Sequence, residues 1–447
     1  VQTCALPIFK YMMERREALG GFVPQRKRKG NSLKTPPLST FENMLTATGE
    51  REISTTMAFV RILSTLVRDK ELGKYIVPIV PDEARTFGME GMFRQLGIYS
   101  SVGQLYEPQD SDQVMFYKEQ QDGQILEEGI NEAGSFSSWV AAATSYTVNG
   151  IQMIPFYIFY SMFGFQRIGD LAWAAGDSRA RGFLLGATAG RTTLNGEGLQ
   201  HEDGHSQLMA AMIPNCVSYD PTFSYELAVI MQDGLKRMVE NQEDVFYYIT
   251  LMNENYSHPE MPKGSEADII KGMYQFSTSK AKGEKVQLMG SGVILREVIE
   301  AQKILESDYG VSADVWSVTS FNELRKDALE VDRWNRMNPD KPQKESHVGK
   351  LLKKAEGPII ASTDYMKSFA EQIAVFLPHK FVALGTDGFG RSDSRENLRH
   401  FFEVDRHYIV VATLKALSDE GKMKSSIVTD AIKKFKLDPN KPNPVTQ

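Results

Sequence analysis

Apolar residues along the first half of the chain gather into short unbroken runs, separated by longer stretches of helical period. YIVPIVPDEA (75–84), MIPFYIFYS (153–161), CVSYDP (216–221) and VFYYITLMNENY (245–256) each pass from an apolar run into polar residues. Such runs predict strands buried on both faces, each ending in a polar loop. REISTTMAFVRILSTLVRD (51–69) and SYELAVIMQDGLKRMVE (224–240) instead space their apolar residues as helices do. Strands alternating with helices predict an α/β fold, with mostly parallel sheets covered by helices.

The alternation restarts after a gap. VQLMGSGVIL (286–295), ADVWSVTSF (313–321), PIIASTDY (358–365) and KFVALGT (380–386) read as strands, REVIEAQKILESDYG (296–310) and IVVATLKALSD (409–419) as helices. The polar, irregular stretch 256–284 predicts a connection, and the basic, proline-rich PQRKRKGNSLKTPPL (24–38) a linker. The expected division is a remnant and linker over 1–40, an α/β domain over 41–257, a linker over 258–284 and a smaller α/β domain over 285–447.

Composition narrows the class further. A chain of 447 residues exceeds one ordinary core. Net charge is -6 with both signs spread along the chain, which does not suggest a nucleic-acid surface. The richest apolar stretch, 153–165, has 13 residues with Pro155 and Gly164 inside it, short of the ~20 a membrane span needs. The 2 cysteines, Cys4 and Cys216, argue against a disulfide scaffold and fit a reducing compartment, the cytoplasm. VQTCALPIFK lacks the basic start of a secretory signal, and the chain opens abruptly, as a fragment would.

Chemistry-bearing residues cluster at the ends of the expected strands. HEDGH (201–205) fits H-E-x-x-H, the pattern of a zinc peptidase, which needs both histidines on one face of a helix. Gly196, Gly198 and Gly204 within the same short stretch argue for a loop instead. Glu197, His201, Glu202 and His205 then form an ionisable run of the kind found in catalytic loops, where a solvated polar loop is the plain alternative. In EEGINEAG (127–134), Glu132 precedes an apolar stretch and falls in the first turn of an expected helix, a position the helix dipole favours by itself. VPDEARTFGMEGMFRQLGIYS (80–100) brings Asp82, Glu83 and Arg85 to a strand end, and FYSMFGFQRIGD (159–170) follows another. In open α/β sheets ligands bind outside the carboxyl ends of the strands, so four such loops predict one shared site.

These blocks carry a resemblance. ISTTMAFVRIL, DEARTFGMEGMFRQLGIYS, LEEGINEAG, PFYIFYSMFGFQRIGDLAWAAGD and GRTTLNGEGLQHEDGHS closely resemble the decarboxylating first component of the bacterial pyruvate dehydrogenase complex, of the homodimeric type. STDYMKSFAEQI and LGTDGFGRSDSRENLRHFFEVD resemble that family's C-terminal domain. The resemblance runs from about Phe9 to the end; VQTCALPI stands outside it. It implies two transketolase-like domains, the pyrimidine-binding and C-terminal parts of a longer enzyme using thiamine diphosphate and Mg²⁺. The family's Gly-Asp-Gly metal motif does not occur here; GDSRARG (176–182) and GTDGFG (385–390) depart from it, so no metal ligand is assigned and Mg²⁺ is expected on a preceding domain.

By motif position, Glu132 matches the acid that hydrogen-bonds the cofactor's pyrimidine nitrogen and promotes its imino tautomer, which an apolar surround would assist by raising its pKa. Tyr160, with Phe163 beside it, matches the pyrimidine pocket, Asp82 and Glu83 the region near the thiazolium and substrate, and Glu197 and His201 the active-site acid and histidine. Arg167 and Tyr160 join His201 as substrate contacts, and His205 is divided between catalytic and structural roles. Residues 102–118 correspond to a mobile loop over the site. The resemblance further implies pyruvate as substrate, a homodimer formed through residues 130–190, and a lipoyl acyltransferase core as partner. Another transketolase-like thiamine enzyme and a non-catalytic scaffold are the alternatives beside the zinc reading.

Overall fold

The computed structural model describes residues 2–21, 26–81, 84–109, 117–194 and 198–447. Two sheets organise it. The first contains β1 (Ile76–Val80), β2 (Leu126–Glu127), β3 (Ile154–Phe159), β4 (Phe183–Gly186), β5 (Cys216–Tyr219) and β6 (Phe246–Thr250). Their order is β2-β1-β3-β4-β6-β5, with every neighbouring pair parallel.

Side-chain alternation sends each strand's residues to two separate cores. Ile154, Phe156 and Ile158 of β3 join a cluster with α1 (Thr55–Leu66) and a later helix, Ser224–Leu235. Tyr157 and Phe159 join the opposite cluster, under α2 (Glu132–Ala143), α3 (Gly164–Asp177) and α4 (Ser206–Ala211). Helix Ser224–Leu235 is α5. With both faces covered, the strands need the unbroken apolar runs seen in the sequence. Helix α1 starts later than its apolar period suggests, because Ser54 caps it by accepting the Met57 N–H at 3.1 Å.

The second sheet holds β7 (Tyr274–Ser277), β8 (Lys285–Gly290), β9 (Ser312–Ser317), β10 (Ile359–Ser362) and β11 (Phe381–Leu384), in the order β11-β10-β8-β9-β7. Only β7 runs antiparallel to its neighbour. Helices α6 (Ile294–Tyr309) and α8 (Arg406–Asp419) pack with it, whereas α7 (Phe321–Met337) packs against β5 of the first sheet. The fold is α/β with mostly parallel sheets, as expected.

Two expectations need correction. FLLG (183–186), not anticipated as a strand, is β4 at the centre of the first sheet, between β3 and β6. Four residues ending in glycine give too short a run to stand out. The stretch 258–284 is not simply a connection, because its β7 is the edge strand of the second sheet and Tyr274 in it is buried.

The two sheets are tied by polar groups. Glu226 near the start of α5 is fully buried, and burial raises its pKa despite four donors. Its Oε2 accepts the N–H groups of Thr222 and Phe223 at 2.5 and 3.0 Å, and its Oε1 accepts Ser317 of β9 at 2.6 Å and Tyr274 of β7 at 2.7 Å. Asn322 of α7 donates to Ser218 of β5 at 2.6 Å. No helix among the described residues is long and apolar enough to cross a membrane.

Candidate active site

The loops leaving the carboxyl ends of β1, β3 and β4 meet. Tyr160 directly follows β3, and the chain turns at once into α3, so that Phe163 and Arg167 project from the turn and the first helical turn. The loop after β4 returns as a short 3-10 turn, Leu199–His201. It lays the His201 ring against both Tyr160 and Phe163, with centroids 5.0 Å away in each case and edge-on geometry. Phe87, from the segment after β1, also packs on Tyr160, with ring centroids 5.4 Å apart.

Glu132 lies in the first turn of α2, whose cap is Asn131 accepting the Gly134 N–H at 3.0 Å. Its Oε1 accepts Arg167 Nη1 at 2.5 Å, and the Arg167 guanidinium lies 4.3 Å above the Phe163 ring. Residues 87, 132, 160, 163, 167 and 201, spread over 115 positions, thus make one continuous run of contacts. The expected apolar surround of Glu132 is absent at its carboxyl: an arginine occupies it, and its side chain is only 13% exposed.

The HEDGH segment divides its side chains. His201 ends a 3-10 turn, Glu202 has extended backbone, and α4 begins only at Ser206. The two histidines therefore do not lie one helical turn apart on a helix face, and the zinc-peptidase premise fails on backbone conformation. Asp203 is buried and structural, accepting the N–H groups of His205 and Ser206 at 2.9 Å each. Glu202 turns inward and accepts the Arg391 N–H at 2.7 Å. Burial, reinforced by Asp364, pushes its pKa up to about 8 against the Arg391 hydrogen bond and Arg191. His205 Nε2 meets the Gln166 amide at 2.5 Å, and its Nδ1 meets Arg191 Nη2 at 3.5 Å.

Asp82, Glu83 and Glu197 lie outside the described residues, as does 110–116 of the segment 102–118. Sequence reasoning missed Arg191, Gln166 and Phe87. Arg191 is buried, donates to the Gly388 carbonyl oxygen and so joins the site loop to the second unit, while burial lowers its pKa. Its signal was hidden because β4, which precedes it, had not been recognised. Asp364 accepts the Thr192 N–H at 2.9 Å and the hydroxyls of Thr192 and Thr193 at 2.7 Å each, and its pKa is pushed up by burial to about 6.

Chemically, the run offers a carboxyl at a helix start beside a rim of rings and an imidazole. That donor set fits a flat aromatic heterocycle with a basic ring nitrogen. Among the described residues no group of three or more His, Cys, Asp or Glu is placed to hold a metal ion.

Solved structures similar to this one in fold include transketolases. That of Leishmania mexicana superposes with a TM-score of 0.62 at 15% identity, over 88% of this chain and 50% of its own. One described as a split gene transketolase, inactive beta4 tetramer, superposes with a TM-score of 0.53 at 15% identity, over 82% of this chain and 98% of its own. The fold is therefore transketolase-like. The model of the pyruvate dehydrogenase E1 component middle domain matches residues 36–259, and that of the transketolase-like C-terminal domain matches 272–405. The pyruvate dehydrogenase E1 component of Pseudomonas aeruginosa is 66% identical over 438 residues, which is 98% of this chain and 50% of the relative. That of Escherichia coli K12 is 56% identical over 437 residues, 97% of this chain and 49% of the relative. The chain belongs to the pyruvate dehydrogenase E1 component family, and it spans about half the length of these relatives.

Proposed function

We propose that this chain supplies the pyrimidine-binding and C-terminal parts of a thiamine diphosphate-dependent pyruvate dehydrogenase of the acetyl-transferring type. The observation that carries the reading is the contact run from Glu132 through Arg167, Phe163 and His201 to Tyr160 and Phe87. When bound, thiamine diphosphate would supply the nucleophile and electron sink, while the protein supplies placement and charge. In this reading Glu132, which here accepts Arg167, would hold the pyrimidine nitrogen through its carboxyl. Tyr160 and Phe163 pack the ring, and Arg167 faces the pyruvate carboxylate. His201, with Glu197, would move protons at the substrate, and Asp82 and Glu83 match family residues that serve near the thiazolium and the substrate. His205, held by Gln166 and Arg191, acts as support.

The diphosphate and Mg²⁺ would be held by the part of the relatives' length that this chain does not span. The 41–257 and 285–447 division and the cytoplasmic setting are carried in the same proposal. So is a homodimer across 130–190, supported by the exposed Ile130, Val148, Ile151 and Trp173. A lipoyl acyltransferase core would accept the acetyl group.

The test joins this chain to the remaining half of the enzyme and measures pyruvate-dependent dye reduction. Glu132→Gln, nearly isosteric, is expected to lower turnover about 100-fold or more while leaving the melting temperature unchanged. Near-normal turnover rejects the assignment. The 447-residue chain alone should show negligible Mg²⁺-dependent thiamine diphosphate binding by calorimetry, and tight binding would contradict the division of labour.

A further inference from the structure

A cleft of about 610 Å³ opens between α1 and the segment Thr40–Thr48. Its lining includes Arg51, Arg61 and Arg68, together with Asn43, Ser64 and Thr65, and among the described residues no Asp or Glu. Positions 61, 64, 65 and 68 recur at helical spacing, so the last turns of α1 and the residues just beyond it present one stripe to the cleft. None of the three guanidinium groups ion-pairs or hydrogen-bonds with another described residue. Arg61 is half-buried, and its pKa is lowered first by burial and then by the neighbouring Arg51 charge, with no acid offsetting either.

A second cleft shows what neutralisation looks like in this molecule. About 650 Å³ in volume, it is lined by Arg296, Arg395, Arg399 and Arg406 together with acids. There Glu254 accepts Arg296 at 2.5 Å and also Arg399, and Glu297 accepts Arg406 in bidentate fashion at 2.8 and 3.0 Å. The chain can therefore place carboxylates among clustered arginines, and at Arg51, Arg61 and Arg68 it does not. Three like charges on a concave wall repel one another until an anion enters, and guanidinium forks match phosphate oxygens. The hydroxyls and the Asn43 amide add neutral hydrogen-bonding partners for the rest of such a ligand.

We propose that this cleft binds a small phosphate-bearing anion, an organic phosphate or diphosphate, as the metal-free anion, at a site separate from the candidate active site. It shares no residue with the Glu132–His201 run.

Calorimetric titration of the 447-residue chain with inorganic pyrophosphate, and separately with inorganic phosphate, tests this. One saturable site is expected, weakening as salt rises to about 0.15 M. Arg61→Met and the exposed Arg68→Met should each lower affinity about ten-fold, with unchanged melting of the ligand-free protein. Pyrophosphate should raise the melting temperature of the parent chain and leave that of an Arg51→Met/Arg61→Met double variant in place. Absence of binding at millimolar pyrophosphate overturns the proposal. So does binding that the double variant and Arg68→Met both retain. A glutamate decapeptide binding more tightly than pyrophosphate would also overturn it, showing that the cleft takes an acidic protein segment.

Discussion

Replacing Glu226 by alanine should unfasten the two sheets. The carboxylate accepts four hydrogen bonds, two from backbone N–H groups of Thr222 and Phe223 and two from the hydroxyls of Ser317 and Tyr274. Residues 222–226 belong to the first unit and the hydroxyls to the second. The hydroxyls can rotate towards other acceptors, and Tyr274 already lies 2.6 Å from the Tyr225 hydroxyl. The two N–H groups are fixed and buried, and each loses its acceptor at a cost of about 1–3 kcal/mol. With the weakened hydroxyl contacts, Glu226→Ala should destabilise by about 4 kcal/mol or more, a large share of a typical domain's stability. Glu226→Gln keeps a carbonyl oxygen for the N–H pair and turns its amide towards the hydroxyls, so about 1 kcal/mol is expected. Urea unfolding followed by far-UV circular dichroism reads both values from the midpoint and slope. Single-tryptophan versions retaining Trp139 or Trp316, one in each unit, report whether the halves still unfold together. An alanine variant within about 1 kcal/mol of the parent, or a glutamine variant as damaged as the alanine one, would refute the reasoning.

Two further outcomes follow from buried ionisable groups. Glu202, raised from 4.5 to about 8, holds its proton in the folded state over a range where the unfolded chain releases it. The folded protein then binds more protons, so stability should fall as pH rises from about 5 to about 8. Asp220, raised by burial to about 7, and Asp364, at about 6, act in the same direction. Glu202→Gln should flatten part of that slope in melting curves, by on the order of 2 kcal/mol across the window, and an unchanged slope would contradict it. Cys216 is fully buried with its thiol pushed up to about 12, so in a Cys4→Ser background a disulfide reagent should react with it only as fast as the protein unfolds. Labelling faster than unfolding measured by circular dichroism would count against that burial.

The strands β1, β3, β5 and β6 and the helices α1 and α5 were legible in the chain, because burial on both sides of a parallel sheet demands consecutive apolar residues. The gathering of Glu132, Tyr160, Phe163 and Arg167 was also legible, since each lies just beyond a strand end or in the first turns of a helix, while His201 was marked by the glycine-rich ionisable run around it. What local pattern could not supply was direction. Glu202 and His201 are neighbours in sequence, yet one turns inward to an N–H 189 positions away and the other faces Tyr160. Arg167 was anticipated at the site but not as the partner of Glu132, because their pairing depends on how α2 and α3 pack. The centre of the first sheet, β4, carries only four residues, and its place follows from pairing with β3 and β6 rather than from its own apolarity. The sequence by itself therefore determined which segments are buried and which residue types stand at the strand ends, since hydrophobic period is a local property. Only the tertiary structure decided which polar side chains share the site and which become struts between the sheets. A buried polar group must find its partner wherever the fold brings one, and here those partners come from the other half of the chain.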